Sequence, residues 1–415
     1  MGLAAAYYAL KRGHDVTLLE AAPEPGGMAA HFDLAGLSIE RFYHFVCKAD
    51  RATFDLLDGL GLGNKMRWVP TSMGYYFDGA LYPWGDPISL IRFPHLSIIE
   101  KIRYALMMFS STRRNDWRSL DKLSAREWIE KWCGQSVYER LWRPLFDLKF
   151  YEYANDISAA WIWARIKRLG TSRRSIFQEE LGYIDGGSET LVKALVEAIA
   201  AGHGRIILST PASKIACSNG HVKSVIAKDS EYPADAVIVT VPTPFVSRLL
   251  PDLPEHERLA YDAIANIAVV CVVFRLKRSI SKHFWINISD SRFAIPGIVE
   301  FSNLRPTGDS VVYIPYYMPA TNPKFARDDM YFRNEAFGYL QQLNPILTDD
   351  DVIAFHIGRL RYAQPVCSPG FAAKLPSIET SVSGLQIADT CFYYPEDRGI
   401  SESVRFGKLM AERVV

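Results

Sequence analysis

The chain has 415 residues, of which 49% are apolar and 22% charged, and its formal net charge is +1. That length exceeds what one hydrophobic core usually holds, so two domains are expected. The near-neutral balance creates no field that would gather a polyanion, which argues against a nucleic-acid partner.

The six cysteines are scattered without a CxxC pair, and the nine histidines show no HExxH spacing. This pattern predicts no metal site and no disulfide framework, and it suits a reducing, cytoplasmic compartment. The opening residues lack the basic n-region and cleavage site of a secretory signal. No apolar run reaches the roughly 18–20 residues that span a bilayer. Aromatic residues make up 13% of the chain, which suits either a large apolar ligand cavity or an aromatic-rich core.

In chain order, residues 2–12 read as a helix stopped by Gly13, and 15–20 as a buried parallel strand ending in Glu20. A loop with Pro23, Pro25 and the Gly26-Gly27 pair follows, then a helix over 50–62 and a hairpin over 75–83 with Asp78-Gly79 at its tip. Residues 87–180 are predominantly helical. After Gly182–Gly187 come an amphipathic helix over 188–201, strands over 205–208 and 221–227, and a buried strand over 236–241. Residues 266–275, 311–317 and 352–359 read as strands of a second sheet, with a helix over 328–343 between two of them. A short strand over 385–388 and a helix from Ile400 to the end complete the chain.

Gly2 opening a helix, a strand after it and Glu20 at that strand's end match the second half of a dinucleotide-binding βαβ unit. A helix N-terminus stabilises a pyrophosphate through its dipole and free N–H groups, and the strand-ending acid accepts hydrogen bonds from the ribose. The first strand and first two glycines of such a unit would lie before Met1, so the expectation is a fingerprint entered partway.

Glu20 followed by Pro25-Gly26-Gly27-Met28 resembles the second signature of the FAD-dependent amine-oxidase, protoporphyrinogen-oxidase and phytoene-desaturase superfamily. Glu24 and Met28 stand where the superfamily usually has basic residues. Glu40-Arg41-Phe42-Tyr43-His44 occupies the place where members pass the chain beside the flavin. Gly186, Gly187 and Leu191 resemble its GG-x-x-x-L segment, and 209–215 its adenine-contacting strand, with Ala212 at the contact. Residues 235–242, with Thr240, resemble the strand returning to the nucleotide fold. Residues 384–389 resemble G-L-x-x-A-G-D without the last glycine, and 395–403 lead into a helix whose start, Gly399-Ile400-Ser401, would face the flavin. Tyr362-Ala363-Gln364-Pro365 resembles a segment near the flavin in protoporphyrinogen-oxidase-like members.

The resemblance implies an α/β fold: a discontinuous Rossmann-like FAD-binding domain (1–75, 182–250 and 376–415, first strand missing) with an α+β substrate domain (76–181 and 251–375). It implies FAD as cofactor, held by Gly2, Glu20, Gly26, Gly27, Met28, Arg41, Phe42, Tyr43, Ala212, Thr240, Asp389, Gly399, Ile400 and Ser401. The implied chemistry is hydride transfer from a small-molecule substrate, lipid-like or aromatic, to flavin N5. His44 and Tyr362 are the catalytic candidates, read mainly as positioning groups. Two alternatives stand beside this reading. One is a UDP-galactopyranose-mutase-like isomerase, with Arg165, Arg168, Arg173 and Arg174 holding a diphosphate unless they form a solvated face. The other is a non-catalytic homologue. Residues 97–109 are amphipathic and read either as a core-facing helix or as a peripheral membrane contact.

Overall fold

The structure is a computed structural model that describes residues 1–414; Val415, the end of the predicted last helix, lies outside the described residues. Its largest sheet has seven strands in the order Val352–Pro365, Asn266–Leu276, Ser310–Met318, Gly297–Glu300, Trp285–Ser289, Met73–Phe77, Ala80–Trp84. Neighbours are antiparallel except Trp285–Ser289 and Met73–Phe77, which run parallel.

Two of these strands, Asn266–Leu276 and Ser310–Met318, lie inside the sheet and are buried almost throughout. Their dense β-branched and aromatic content is what a strand covered on both faces requires. The two-residue period sorts their side chains. Val270, Val272, Phe274, Val312, Ile314 and Tyr316 pack with Phe332, Ala336, Phe337 and Leu340 of the Asp329–Leu343 helix. Cys271, Val273, Val311 and Tyr313 point the other way, against Leu34, Ile39, Cys47 and Leu181. Tyr317, also on that second face, joins the core of a helical layer that includes Ile98–Arg113, Ala125–Cys133, Arg143–Phe150 and Ala159–Thr171.

The predicted nucleotide-binding strands form two parallel pairs, Thr17–Leu19 with Arg205–Ile207 and Val237–Val239 with Leu385–Ile387. Thr17–Leu19 is shorter than the predicted 15–20 and only half-buried, so the expectation of a fully buried strand is corrected. The helices around these pairs follow the predicted spans closely: Gly2–Lys11, Arg51–Gly59, Ser188–Ala201 and Ile400–Glu412. The small residues Ala4 and Ala5 serve a close helix–helix contact as well as sheet packing. A Cβ on Gly407 of the last helix would lie 2.8 Å from Ala5 N, 2.8 Å from Met1 O and 2.9 Å from Ala4 Cβ.

The Ile98–Arg113 helix buries Met107 and Ser111 but leaves Ile98, Ile99, Ile102, Leu106 and Phe109 exposed. Much of its apolar stripe therefore lies outside the core. No helix among the described residues is long and apolar enough to cross a membrane.

Gly407→Val tests the contact between the first and last helices. Overpacking against backbone atoms costs about 1–3 kcal/mol, and a lowered denaturation midpoint in urea with unchanged slope is the expected result. An unchanged midpoint would mean that these two helices do not approach this closely.

Candidate active site

The N-terminal half of the site is built on glycine turns and one buried acid. Gly2 sits between Leu18 Cδ1 and Thr240 Oγ1, which a Cβ there would meet at 3.9 and 3.2 Å. Glu20 follows the first strand; its Oε1 accepts Ala22 N–H at 2.9 Å and its carbonyl accepts Thr210 N–H at 2.8 Å. Gly26 and Gly27 both have positive φ, 113° and 58°. A Cβ on Gly26 would lie 3.2 Å from both Ala30 N and Val192 Cγ2, so the turn demands glycine for conformation and for space. Met28 and Arg41 remain half-buried, and Arg41 faces Glu24 at 3.8 Å. Ala212 begins a strand paired with 221–227.

Glu40, 2% exposed, is a hub. Its carboxylate accepts from Arg305 Nη1 at 2.7 Å and Ser188 N at 3.2 Å, with His31 Nε2 at 3.6 Å. Its carbonyl accepts the Tyr313 hydroxyl at 2.7 Å. Burial opposes ionisation, but the nearby His31 and the Arg305 charge outweigh it and hold the carboxyl below its ordinary range. Gly187, at φ 78°, closes over this hub; a Cβ there would lie 2.5 Å from Glu40 Oε1. Residues 41–45 are thus strung between the Glu40 anchor and a bridge from Val46 to Gly182. Within them Phe42 packs on the core and Tyr43 meets Trp285 and Tyr313 edge-on at 5.4 and 5.7 Å. His44 Nδ1 is buried without a partner, and burial pushes the imidazole below its usual pKa, toward the neutral form.

The C-terminal half follows the Leu385–Ile387 strand. Asp389 Oδ2 accepts Thr243 N–H at 2.7 Å and Oδ1 accepts Cys391 N–H at 2.8 Å, so this carboxylate ties together the two loops that leave the 237–239 and 385–387 strands. Its burial raises its pKa. Tyr362 makes no side-chain hydrogen bond among the described residues and stands edge-on to Phe245 at 5.3 Å. Gly399 caps the last helix, whose first turn carries Ile400 and the buried Ser401.

Several charged groups here were not assigned from sequence. Asp397 pairs with Arg165, and Arg398 hydrogen-bonds the Ala363 carbonyl and, at 3.4 Å, the Tyr317 hydroxyl. Lys149, 4% exposed, places its Nζ 4.9, 5.0 and 5.6 Å from the ring centroids of Trp161, Tyr317 and Phe150. Arg168 grips Asp50 with two nitrogens, at 2.7 and 3.0 Å. Glu396 is half-buried; desolvation, then the nearby Glu402 charge, push it up to about 7 despite Arg168. The solvated-face reading of the four arginines is therefore corrected for two of them: Arg165 and Arg168 turn inward. Arg173 donates to the Ser175 and Ile176 carbonyls, and Arg174 is exposed. The only sequence signal for the inward pair was its one-turn spacing on a helix full of Trp and Ala.

Whether FAD fits can be judged from polar atoms left without partners. His44 Nδ1, Thr243 Oγ1, Gln364 Oε1, Asp397 Oδ1 and Arg398 Nε are all buried without a hydrogen bond among the described residues, the last two facing each other at 3.9 Å. Each such group costs about 1–3 kcal/mol unless a ligand satisfies it. They lie on the segments 41–45, 243, 364 and 389–398, and their mix of donors and acceptors suits the polar edge of a flavin.

The sequence model described as flavin containing amine oxidoreductase matches residues 2–352. No curated protein matches the chain in sequence. Among solved structures, the assigned protoporphyrinogen oxidase of Exiguobacterium sp. 255-15 superposes with a TM-score of 0.75 at 20% identity, covering 99% of this chain and 95% of that one. An oxidoreductase of Methanosarcina mazei gives 0.75 at 17%, with 99% and 97% covered. A putrescine oxidase bound to putrescine gives 0.73 at 16%, with 99% and 95% covered. The solved structures share the fold, and the sequence match extends over most of the chain: the protein belongs to the flavin containing amine oxidoreductase family and is an FAD-dependent oxidoreductase.

Proposed function

We propose that the protein takes a hydride from a carbon of a small organic substrate, with FAD held between the glycine turns of its N-terminal half and the 389–401 segment. The observation that carries this reading is the set of unpartnered buried polar atoms on the segments that resemble flavin-contacting ones. FAD, when bound, supplies the two-electron acceptor chemistry. The chain's own residues do the rest.

The N-terminus of the Gly2–Lys11 helix offers free N–H groups and a positive dipole end to a diphosphate. Glu20 keeps Oε2 available for ribose hydroxyls, since only Oε1 is used within the protein. Gly26 and Gly27 let the backbone approach closely, and Ala212 presents backbone to the base. Asp389 acts by positioning, because both its oxygens already hold loop N–H groups. His44, neutral and with Nδ1 free, serves as a hydrogen-bond partner at the ring edge. Tyr43, Trp285 and Tyr313 exclude water on one side, and Tyr362 with Phe245 forms another apolar wall. The first turn of the last helix, at Gly399–Ser401, sets its dipole against charge that develops during reduction.

The test is anaerobic mixing of the FAD-loaded protein with candidate substrates, including putrescine, cyclohexylamine and a porphyrinogen. Loss of the visible flavin band with at least one, and its return on admitting oxygen, is expected. Protein that stays colourless after incubation with FAD would sink the proposal. Reduction by NADPH without oxygen turnover would favour the isomerase reading.

Glu396 gives a pH prediction. Its folded pKa near 7 exceeds the ordinary carboxylate value, so between about pH 4.5 and 7 the folded state binds more protons than the unfolded one. Its contribution to stability therefore falls as pH rises through that window and is flat above it. Glu396→Gln should raise the melting temperature relative to the parent at pH 8, with the gain shrinking toward pH 4.5. A gain independent of pH would contradict this assignment.

A further inference from the structure

Three cations surround one carboxylate in the layer between the helices and the large sheet. Lys149 lies at the end of the Arg143–Phe150 helix, Arg165 on the Ala159–Thr171 helix, and Arg398 on the C-terminal loop with Asp397. Asp397 is paired to Arg165 and stands 3.9 Å from Arg398 Nε, which is buried and otherwise unpartnered. Lys149 makes no hydrogen bond and no ion pair among the described residues, and its surroundings are the rings of Phe150, Trp161 and Tyr317. The Arg165 guanidinium lies 5.0 Å from the same Trp161 ring. The next residue but one, Tyr151, is held at φ 53°, a conformation bulky residues rarely adopt, and a widened turn over Tyr138–Trp142 precedes the helix. Burying charge without a partner is costly, so excess positive charge here calls for an anion that the protein itself does not provide.

Lys149, Arg165 and their ring neighbours belong to the helical layer and the large sheet, while Asp397 and Arg398 lie on the segment that borders the flavin. Gly2 and Glu20, where the diphosphate and the ribose are placed above, share none of these contacts. We propose that Lys149 and Arg398, with Arg165, form the substrate's anion site, so that the substrate carries a carboxylate and simple ammonium compounds are disfavoured. This rests on the flavin reading above and adds the substrate class to it. Burial, and then Arg165, push the Lys149 amine well below its ordinary pKa, toward the neutral form, and a bound carboxylate would draw a proton onto it.

The experiment uses benzoate and benzylamine, which have similar shapes and opposite charges. Each is titrated into the FAD-loaded protein and followed by the flavin spectrum and by tryptophan fluorescence. Benzoate should bind at least tenfold more tightly than benzylamine. Lys149→Met, which suits an apolar box, should weaken benzoate about tenfold and leave FAD affinity unchanged, whereas Lys149→Arg should retain most of the binding. Absence of saturable benzoate binding, equal or tighter binding of benzylamine, or benzoate affinity indifferent to Lys149→Met would each overturn the anion site. Failure to take up FAD would instead overturn the flavin reading, and fluorescence titration of the FAD-free protein would still report on the anion site.

A second, independent observation concerns the outer surface. Ile88, Ile91, Ile98, Ile99, Ile102, Leu106, Phe109, Ile176 and Phe177 are each 46–76% exposed. They form one surface, because Lys101 Nζ bonds the Ile91 carbonyl at 2.6 Å and Arg173 joins the 176–177 turn to Gly85. Arg92, Lys101, Arg113 and Arg174 border it, and none has a carboxylate within salt-bridge distance among the described residues. Glu100, the one acid of the Ile98–Arg113 helix, is engaged in its capping box and with Arg140 at 3.7 Å. An aliphatic surface bordered by unneutralised cations matches an anionic bilayer. A symmetric dimer through this face would instead bring two basic borders together.

We infer that this face docks on anionic membrane. Co-sedimentation with equimolar phosphatidylcholine–phosphatidylserine vesicles should retain the protein, with loss in high salt, on pure phosphatidylcholine, and in Ile98→Ser/Ile102→Ser/Phe109→Ser. The melting temperature of that variant should match the parent, since these side chains are exposed. Absence of vesicle binding would overturn the inference, as would a dimer in solution that the same substitutions dissolve.

Discussion

The geometry of the site depends on a single buried carboxylate. Glu40 is where the paired strands His31–Asp33 and Ser38–Glu40, the Gly186-Gly187 turn and the large sheet meet, through Ser188, Arg305 and the Tyr313 hydroxyl. A buried charge of this kind is tolerable only when it is hydrogen-bonded and paired, and here Ser188 N–H and the Arg305 guanidinium bond the carboxylate while His31 stands 3.6 Å away. Its worth lies in position more than in net stabilisation. Breaking one partner would leave the charge exposed to a low-dielectric core, so the segments are held in one arrangement. Residues 41–45 leave this anchor directly, and Tyr43 and His44 therefore inherit their places from Glu40.

The second constraint is the pleat of the two inner strands. Because successive side chains alternate, Tyr313 and Tyr317 face the site while Ile314 and Tyr316 face the 329–343 helix. The sheet thus supplies a hydroxyl to the Glu40 hub and, four residues on, a ring to the Lys149 box. Register and function are coupled here: a one-residue slip would move both tyrosines to the wrong face.

Much of this was legible in the sequence, for reasons that differ by element. The strands 266–276 and 310–318 announce themselves as long β-branched runs, and the helices 188–201, 329–343 and 400–412 by periodicity and caps. Turns were readable wherever glycine is obligatory, as at Gly26-Gly27, Asp78-Gly79 and Asn219-Gly220, all with positive φ. The charged half of the site was not legible. Lys149 and Arg165 sit on helices whose polar positions look like ordinary solvated faces, and Asp397, the partner of Arg165, lies 232 residues away. Pairing across that separation leaves no periodic trace. The helix over 98–113 was ambiguous for the opposite reason: an amphipathic stripe specifies an apolar neighbour without saying whether it is core or lipid.

The family takes its name from amines, yet the buried charges of this chain are hard to reconcile with an ammonium substrate beside Lys149. Arg165 and Arg398 stay charged, and together with Lys149 they share one carboxylate here. Aromatic rings attract cations, and in this protein the box of Phe150, Trp161 and Tyr317 is already taken by a lysine. An ammonium would have to displace Lys149 or bind against it, whereas a carboxylate would be welcomed by it. The fold brings the large sheet and the helical layer together, and in the proposed site the charges between them would set which substrates enter. Under the proposed anion site, those charges would favour an acid over an amine.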